Sequence, residues 1–231
     1  MKMNTEEGKL ISLEELGVPS TRTTKDIESL TRTTEFLPQI RVYGSESSIV
    51  KEQKFPMGHL GMYFSQDNIV DLGQSFDCLV VDWRPRASIV AGDQPISYYG
   101  KFNEENQDWN FSNEFLLVKE KAMAKEQGYL CGLEYLLWVT GVEHFGLFLM
   151  GNPTLRRESP NMKALTGAAA TVKMKIIKTK KYTWHGVQIF KCQTPFDLPE
   201  REEMIEEVQK FRNSKDSELE MVDDSDSARA R

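Results

Sequence analysis

The chain has 231 residues, 39% hydrophobic and 28% charged, with 29 Lys and Arg against 35 Asp and Glu for a net charge of −6. This composition suits one globular domain, or one domain with tails, and excludes collagen-like, coiled-coil and disulfide-scaffold classes. Taken whole, the acidic balance argues against a nucleic-acid partner, but the charge is unevenly spread. Residues 1–150 hold 14 basic and 22 acidic side chains, residues 151–196 nine basic and one acidic (Glu158), and residues 197–231 six basic and twelve acidic. A block of net +8 therefore lies between two acidic ones, and such asymmetry says more about partners than the total does.

No apolar run approaches the roughly 20 residues of a membrane span. The greasiest stretch, Leu133 to Met150, is broken by Glu134, Glu143 and His144. The N-terminus lacks the charged-then-apolar layout of a signal peptide, and Cys78, Cys131 and Cys192 cannot pair evenly. The expectation is a reducing cytosolic compartment, the host-cell cytoplasm if the chain is viral.

Residues 1–35 are polar, with TRTT at 21–24 and again at 31–34, and read as a flexible arm with one short helical turn around Leu10 to Leu16. From Phe36 the chain turns to strand-like runs: FLPQIRVYG, HLGMYF, DNIVDLG and FDCLVVDWRP. In the last, Cys78 to Val81 suit a buried strand that Pro85 ends. Apolar Phe115, Val118 and Ala122 at helical spacing, with Ser112 as N-cap and Gly128 as stop, predict a helix of about four turns. LEYLLWVTGVEHFGLFLMG reads as a hairpin turning at Thr140 to Glu143. PTLRRESPNMKALTG reads as a basic loop with a helical turn or two, ended by Gly167.

In the next segment Val172, Met174 and Ile176 alternate with Thr171, Lys173 and Lys175, the period of a half-exposed strand with one greasy and one cationic face. After a connection at Thr183 to Gly186, Val187, Ile189 and Cys192 continue as its antiparallel partner. A surface helix is expected over Pro199 to Phe211, on a stripe of Met204, Ile205, Val208 and Phe211. Residues 213–231 are too polar to bury a core and read as a disordered acidic tail.

Phosphate-cradling, dinucleotide-binding, nucleophile-elbow and HExxH signatures are all absent, so no cofactor and no catalytic residue is assigned. His59, His144 and His185 have no metal-ligand spacing with each other or with the cysteines. Asp67, Asp71, Asp77 and Asp82 could hold Mg²⁺ as in a nuclease, although Asp beside Asn or Gly also marks turns. Cys78 within an apolar run reads as a small core residue.

The basic block carries the functional reading. Arg156, Arg157, Lys163, Lys173, Lys175, Lys178, Lys180, Lys181 and Lys191 are interleaved with Tyr182, Trp184 and His185. Sequence-tolerant single-strand binders combine cations that follow phosphates with aromatic faces on which bases stack, and counterion release lets a locally basic face bind even when the whole chain is acidic. Trp83, Arg84 and Arg86 form a second, smaller patch. The competing structural reading has the lysines guarding a strand from edge pairing, Tyr182 and Trp184 in the core, and the Trp83 patch capping its strand.

Gly167 to Phe190, with its Val-Lys-Met-Lys strand, Lys-Lys-Tyr-x-Trp connection and Gly-Val return, resembles the C-terminal hairpin of the OB-fold single-stranded DNA-binding proteins of tailed phages. An acidic tail follows it in those proteins too. The resemblance implies a groove on Lys173, Lys175, Lys180, Lys181, Tyr182 and Trp184. It implies a mainly β fold, a five-stranded OB-like Greek-key barrel with an inserted helix and hairpin. The expected divisions are an arm (1–35), a barrel (36–198), a C-terminal helix (199–212) and a tail (213–231). Arg156, Arg157 and Lys163 would extend the phosphate path, with Trp83 as a third stacking candidate beside Arg84 and Arg86. The expected partner is single-stranded DNA in phage-type replication or recombination, with replication enzymes recruited by the tail. The alternatives are a metal-dependent nuclease on Asp67 to Asp82, or a structural, partner-binding virion protein.

Overall fold

The computed structural model describes residues 37–44, 47–52, 55–65, 68–90, 96–103, 105–178, 183–193 and 197–213. The expected N-terminal arm and acidic tail lie outside the described residues. In chain order the elements are β1 (Gln39–Tyr43), α1 (Ser48–Lys51), β2 (His59–Ser65), β3 (Asn68–Gly73), β4 (Ser75–Ile89), β5 (Ile96–Tyr99), β6 (Lys101–Asn103), β7 (Asp108–Asn110), α2 (Asn113–Met123), β8 (Tyr129–Val139), β9 (His144–Met150), α3 (Pro153–Arg156), α4 (Ser159–Ala164), β10 (Ala169–Lys178), β11 (Thr183–Lys191) and α5 (Arg201–Asn213).

The fold is mainly β. Nine strands, where five were expected, form one sheet in the order β11-β10-β4-β8-β9-β1-β2-β3 with β5 beside β4; β6 and β7 make a separate hairpin. The sheet curls into a half-barrel whose β11 edge comes back against β1. His185 marks the approach, since a Cβ added at Gly44 or Gly58 would lie 3.3 or 3.4 Å from its ring. Among the described residues, no helix is long and apolar enough to cross a membrane.

The inner face buries Leu60, Met62, Val80, Leu137, Phe148 and Val172, and α3 and α4 add Leu155 and Met162 to that core. Tyr135 donates its hydroxyl to the Ser159 carbonyl at 2.7 Å, fixing the start of α4. On the outer face α5 sets Met204, Val208 and Phe211 against Leu79, Val81, Leu136 and Trp138. At the far end of β4 and β8, α2 packs Phe115 and Val118 on Ala87. Full burial of one such large side chain contributes about 1.5–3 kcal/mol, so each helix is held by its apolar stripe rather than by propensity. The Ser112 cap of α2 is in place, its side chain accepting from the Phe115 amide at 3.1 Å. The helix is shorter than expected because the chain leaves it at Ala124 and turns through positive φ at Lys125 and Gly128.

Strand β4 organises the sheet. It runs 15 residues, through Pro85, rather than ending there. The Pro85 carbonyl accepts from Gly100 N–H on the β5 side. The nitrogen of the same residue faces that side as well, so the missing donor breaks no bond to β8. Pairing with β8 shifts register between Val80 and Asp82, leaving Val81 as an extra residue. Such a bulge reverses the facing of everything beyond it. Before it, Phe76, Cys78 and Val80 point inward; after it, Trp83, Pro85 and Ala87 do, and Asp82, Arg84 and Arg86 turn outward, the first two against the end of α5.

That reversal builds a buried ionic cluster. Glu134 is 0% exposed, with Arg84 and Arg86 at 4% and 5%. Arg84 donates to its carboxylate at 2.8 Å through Nε and 2.7 Å through Nη2, and Arg86 donates through Nη1. Arg86 is further held by Ser88 at 2.9 Å and Ser97 at 2.7 Å. Arg84 lies between the rings of Tyr99 and Phe211, 3.7 and 4.2 Å from their centroids, and donates to the Phe211 carbonyl. Two cations face one carboxylate, and the negative end of α5 offsets the second. Alongside, Arg212 binds Asp82 at 2.6 Å.

Burial alone would push the Glu134 pKa up; the Arg86 and Arg84 guanidiniums more than reverse this and hold it below the ordinary carboxylate range. With the folded value below the unfolded one, the ionised cluster stabilises the protein above the unfolded pKa of about 4.3 and loses that contribution as pH falls through the folded value. Glu134→Gln leaves two guanidiniums without their carboxylate and is expected to cost about 3–5 kcal/mol in urea unfolding at pH 7. The gap to wild type should narrow on acidification below about pH 4; a gap independent of pH would show that the charge is not what holds the cluster.

Candidate nucleic-acid interface

The alternation expected in β10 is present over its first half. Val172 and Met174 pack on the inner core, and Lys173 and Lys175 stand exposed on the outer face. Ile176 departs from it at 57% exposure. β4 pairs with β10 only from Ala169 to Lys173, so beyond Lys173 the strand is paired by β11 alone. The partner strand begins earlier than expected: pairing runs from Lys178↔Thr183 to Ala170↔Lys191, which places Thr183 to Gly186 in β11. Trp184 is therefore a strand residue of fixed facing. Lys180, Lys181 and Tyr182 lie outside the described residues.

Register settles which side chains share the outer face. Lys173 lies opposite Gln188, Lys175 opposite Gly186 and Ile177 opposite Trp184. Diagonal neighbours across an antiparallel pair remain within reach of long side chains, so Lys175 lies beside Trp184 and Lys173 beside Phe190. Trp184 is 37% and Phe190 44% exposed. Six residues of strand separate the two rings by about 20 Å, with the lysines along the same stretch. Phe190 was missed in the sequence, although Val187 and Ile189 as inward residues already assign it to the Trp184 face. Among the described residues, Lys173, Lys175, Lys178 and Arg157 have no carboxylate partner. The chain from Ser159 to Phe196 contains no Asp or Glu, so nothing on the hairpin itself neutralises this face.

The other expected contacts divide. Lys163, on α4, places its ammonium 4.0 Å from the centre of the Trp83 ring on β4, bringing together two residues 80 positions apart. Arg157 is exposed just after α3. Arg156 is half-buried and turned toward α2, with Nη1 3.3 Å from the Met123 sulfur. Arg84 and Arg86 differ from the expectation: beyond the bulge at Val81 both are buried on Glu134, Arg84 against the end of α5 and Arg86 against Ser88 and Ser97, which leaves no exposed basic patch there.

The carboxylates of the nuclease alternative do not converge. Asp71 binds His59 at 2.9 Å, Asp77 accepts from Thr171 at 2.6 Å, and Asp82 is held by Arg212 on the outer face; Asp67 lies outside the described residues. Among the described residues no three His, Cys, Asp or Glu side chains gather as a metal site. Cys78 is fully buried, and burial pushes its thiol far up, which suits a core residue and not a nucleophile. Compared with protein-family models, with curated proteins and with solved structures, the chain matches none.

Proposed function

We propose that the protein binds single-stranded DNA without reading its sequence, in phage-type replication or recombination, using the outer face of the β10–β11 hairpin. One observation carries the reading: Lys173, Lys175, Trp184 and Phe190 share one exposed strand face. Lysines along such a face follow phosphates, and each contact releases condensed counterion. Exposed rings offer stacking surfaces that accept any base. Lys180, Lys181 and Tyr182 give the same segment of sequence two further cations and a further aromatic. The curled sheet and its long bulged strand support reading the architecture as an OB-like barrel. The acidic segment beyond α5 competes with DNA for the basic face and offers a contact to basic replication enzymes.

The two kinds of contact leave different signatures in a titration of oligo-dT at several salt concentrations. Replacing Lys173 and Lys175 together by Ala is expected to weaken binding and to flatten the slope of log K against log salt by about 1.4, at about 0.7 per phosphate on a single strand. Trp184→Ala is expected to weaken binding by about 1–3 kcal/mol with the slope unchanged. The wild-type protein should prefer single strands to duplex; salt-independent binding near the detection limit would overturn the assignment. Removing residues 214–231 should tighten binding, and equal affinity would dismiss the competition.

A further inference from the structure

A second aromatic cluster lies beyond the hairpin, at the margin of the inner core against which its Trp83 packs. The Trp83 and Trp109 rings are 5.3 Å apart, and Phe102 sits 5.3 Å from Trp109 in an edge-on arrangement. All three rings are only half-buried. Trp109 and Phe102 belong to the small β6–β7 hairpin, where they are directly paired. The Lys163 ammonium lies over the Trp83 ring, 4.0 Å from its centre, so it occupies that ring face itself; the exposed cation is placed for a phosphate, and the half-exposed Trp109 and Phe102 rings beside it for a base.

The ground between the two surfaces is basic. Helix α3 packs against β11, and α4 packs against both β11 and β4. A Cβ added at Gly186 would come within 2.4 Å of the Thr154 methyl, so α3 lies directly over the strand residue that faces Lys175. Arg157 and Lys163 are exposed along this bridge. Its one acid, Glu158, accepts from the Asn161 side chain at 2.9 Å.

We infer that a bound single strand continues from the hairpin over α3 and α4 onto Trp83, Trp109 and Phe102, making this cluster a second stacking site for the same strand. The inference rests on the hairpin being the primary site. It makes Trp109 a contact for long strands only.

The test compares dT5 with dT16, a range spanned by the roughly 4–16 nucleotides that single-strand sites of this kind cover. Trp109→Ala and Lys163→Gln should each weaken dT16 binding about tenfold or more and leave dT5 binding unchanged, whereas Trp184→Ala weakens both. Because Trp109 also packs on its neighbours, a second readout uses a Trp184→Phe protein with an intact cluster. There, dT16 should quench the Trp83 and Trp109 fluorescence and dT5 should not, with buried Trp138 as a constant background. Equal loss on both lengths, or no loss and no quenching with dT16, overturns the second site while leaving the hairpin reading standing. Wild-type protein that binds neither oligonucleotide sinks both.

Discussion

The carboxylate of Glu134, shut away between two guanidiniums, is the contact around which the sheet and its outer helix are arranged. A lone charge at that depth would cost several kcal/mol in lost hydration. It is tolerated because Arg84 and Arg86 supply the hydrogen bonds that water would have made. Those two cations in turn exceed one carboxylate. The surplus is met by the last turn of α5, whose Phe211 carbonyl and ring both receive Arg84. Docking of α5 is thus electrostatic at its C-terminal end and apolar along its length, where Met204 and Val208 cover Leu79 and Leu136.

That arrangement is possible only because of one extra residue in β4. With strict alternation, Phe76, Cys78 and Val80 facing the core would require Asp82, Arg84 and Arg86 to face it too. The bulge at Val81 resets the phase, keeps three charged residues out of the inner core, and lets one strand serve two purposes. Its first half pairs with β10 and aims Lys173 and Lys175 outward; its second half holds the ionic cluster and presents Trp83 to the opposite face. The two proposed nucleic-acid surfaces therefore lie on opposite faces of the sheet, one on β10 and β11 and the other at Trp83 of β4, with α3 and α4 carrying the path around the β11 edge.

Much of this was written in local sequence. The Ser112 cap, the inward Val172 and Met174, and the α5 stripe follow from periodicity and capping chemistry alone. Arg84 and Arg86 were misjudged because Trp-Arg-Pro-Arg looks like an exposed basic patch, while their partner Glu134 lies about fifty residues away and interrupts what reads as a greasy strand. The phase change was hidden, because Cys78 to Val81 are apolar without a break, and a run with no alternation does not show where the inward face switches from even to odd positions. Trp109 could not be reached from local sequence either. Asn, Glu and Asp crowd its neighbourhood and no element was expected there; only the packing of β6 and β7 beside Trp83 gives it a place.

The net charge of −6 now has a spatial meaning. Helix α5 exposes Glu202, Glu203 and Glu206 over the part of the outer face formed by β4 and β8, and the basic hairpin continues that same outer face one strand further on. A strand bound as proposed would meet Glu202 and Glu203 at the start of α5 and the lysines at β10, while Glu206 is already paired with Lys210 at 3.1 Å; such surface charges act over roughly 10 Å at 0.1 M salt. On the proposed reading, charge of both signs would do more than raise affinity. Like-charge contact at the start of the helix would then disfavour strands lying across the middle of the sheet, in keeping with the path proposed along the hairpin and over the β11 edge, toward α4 and Trp83.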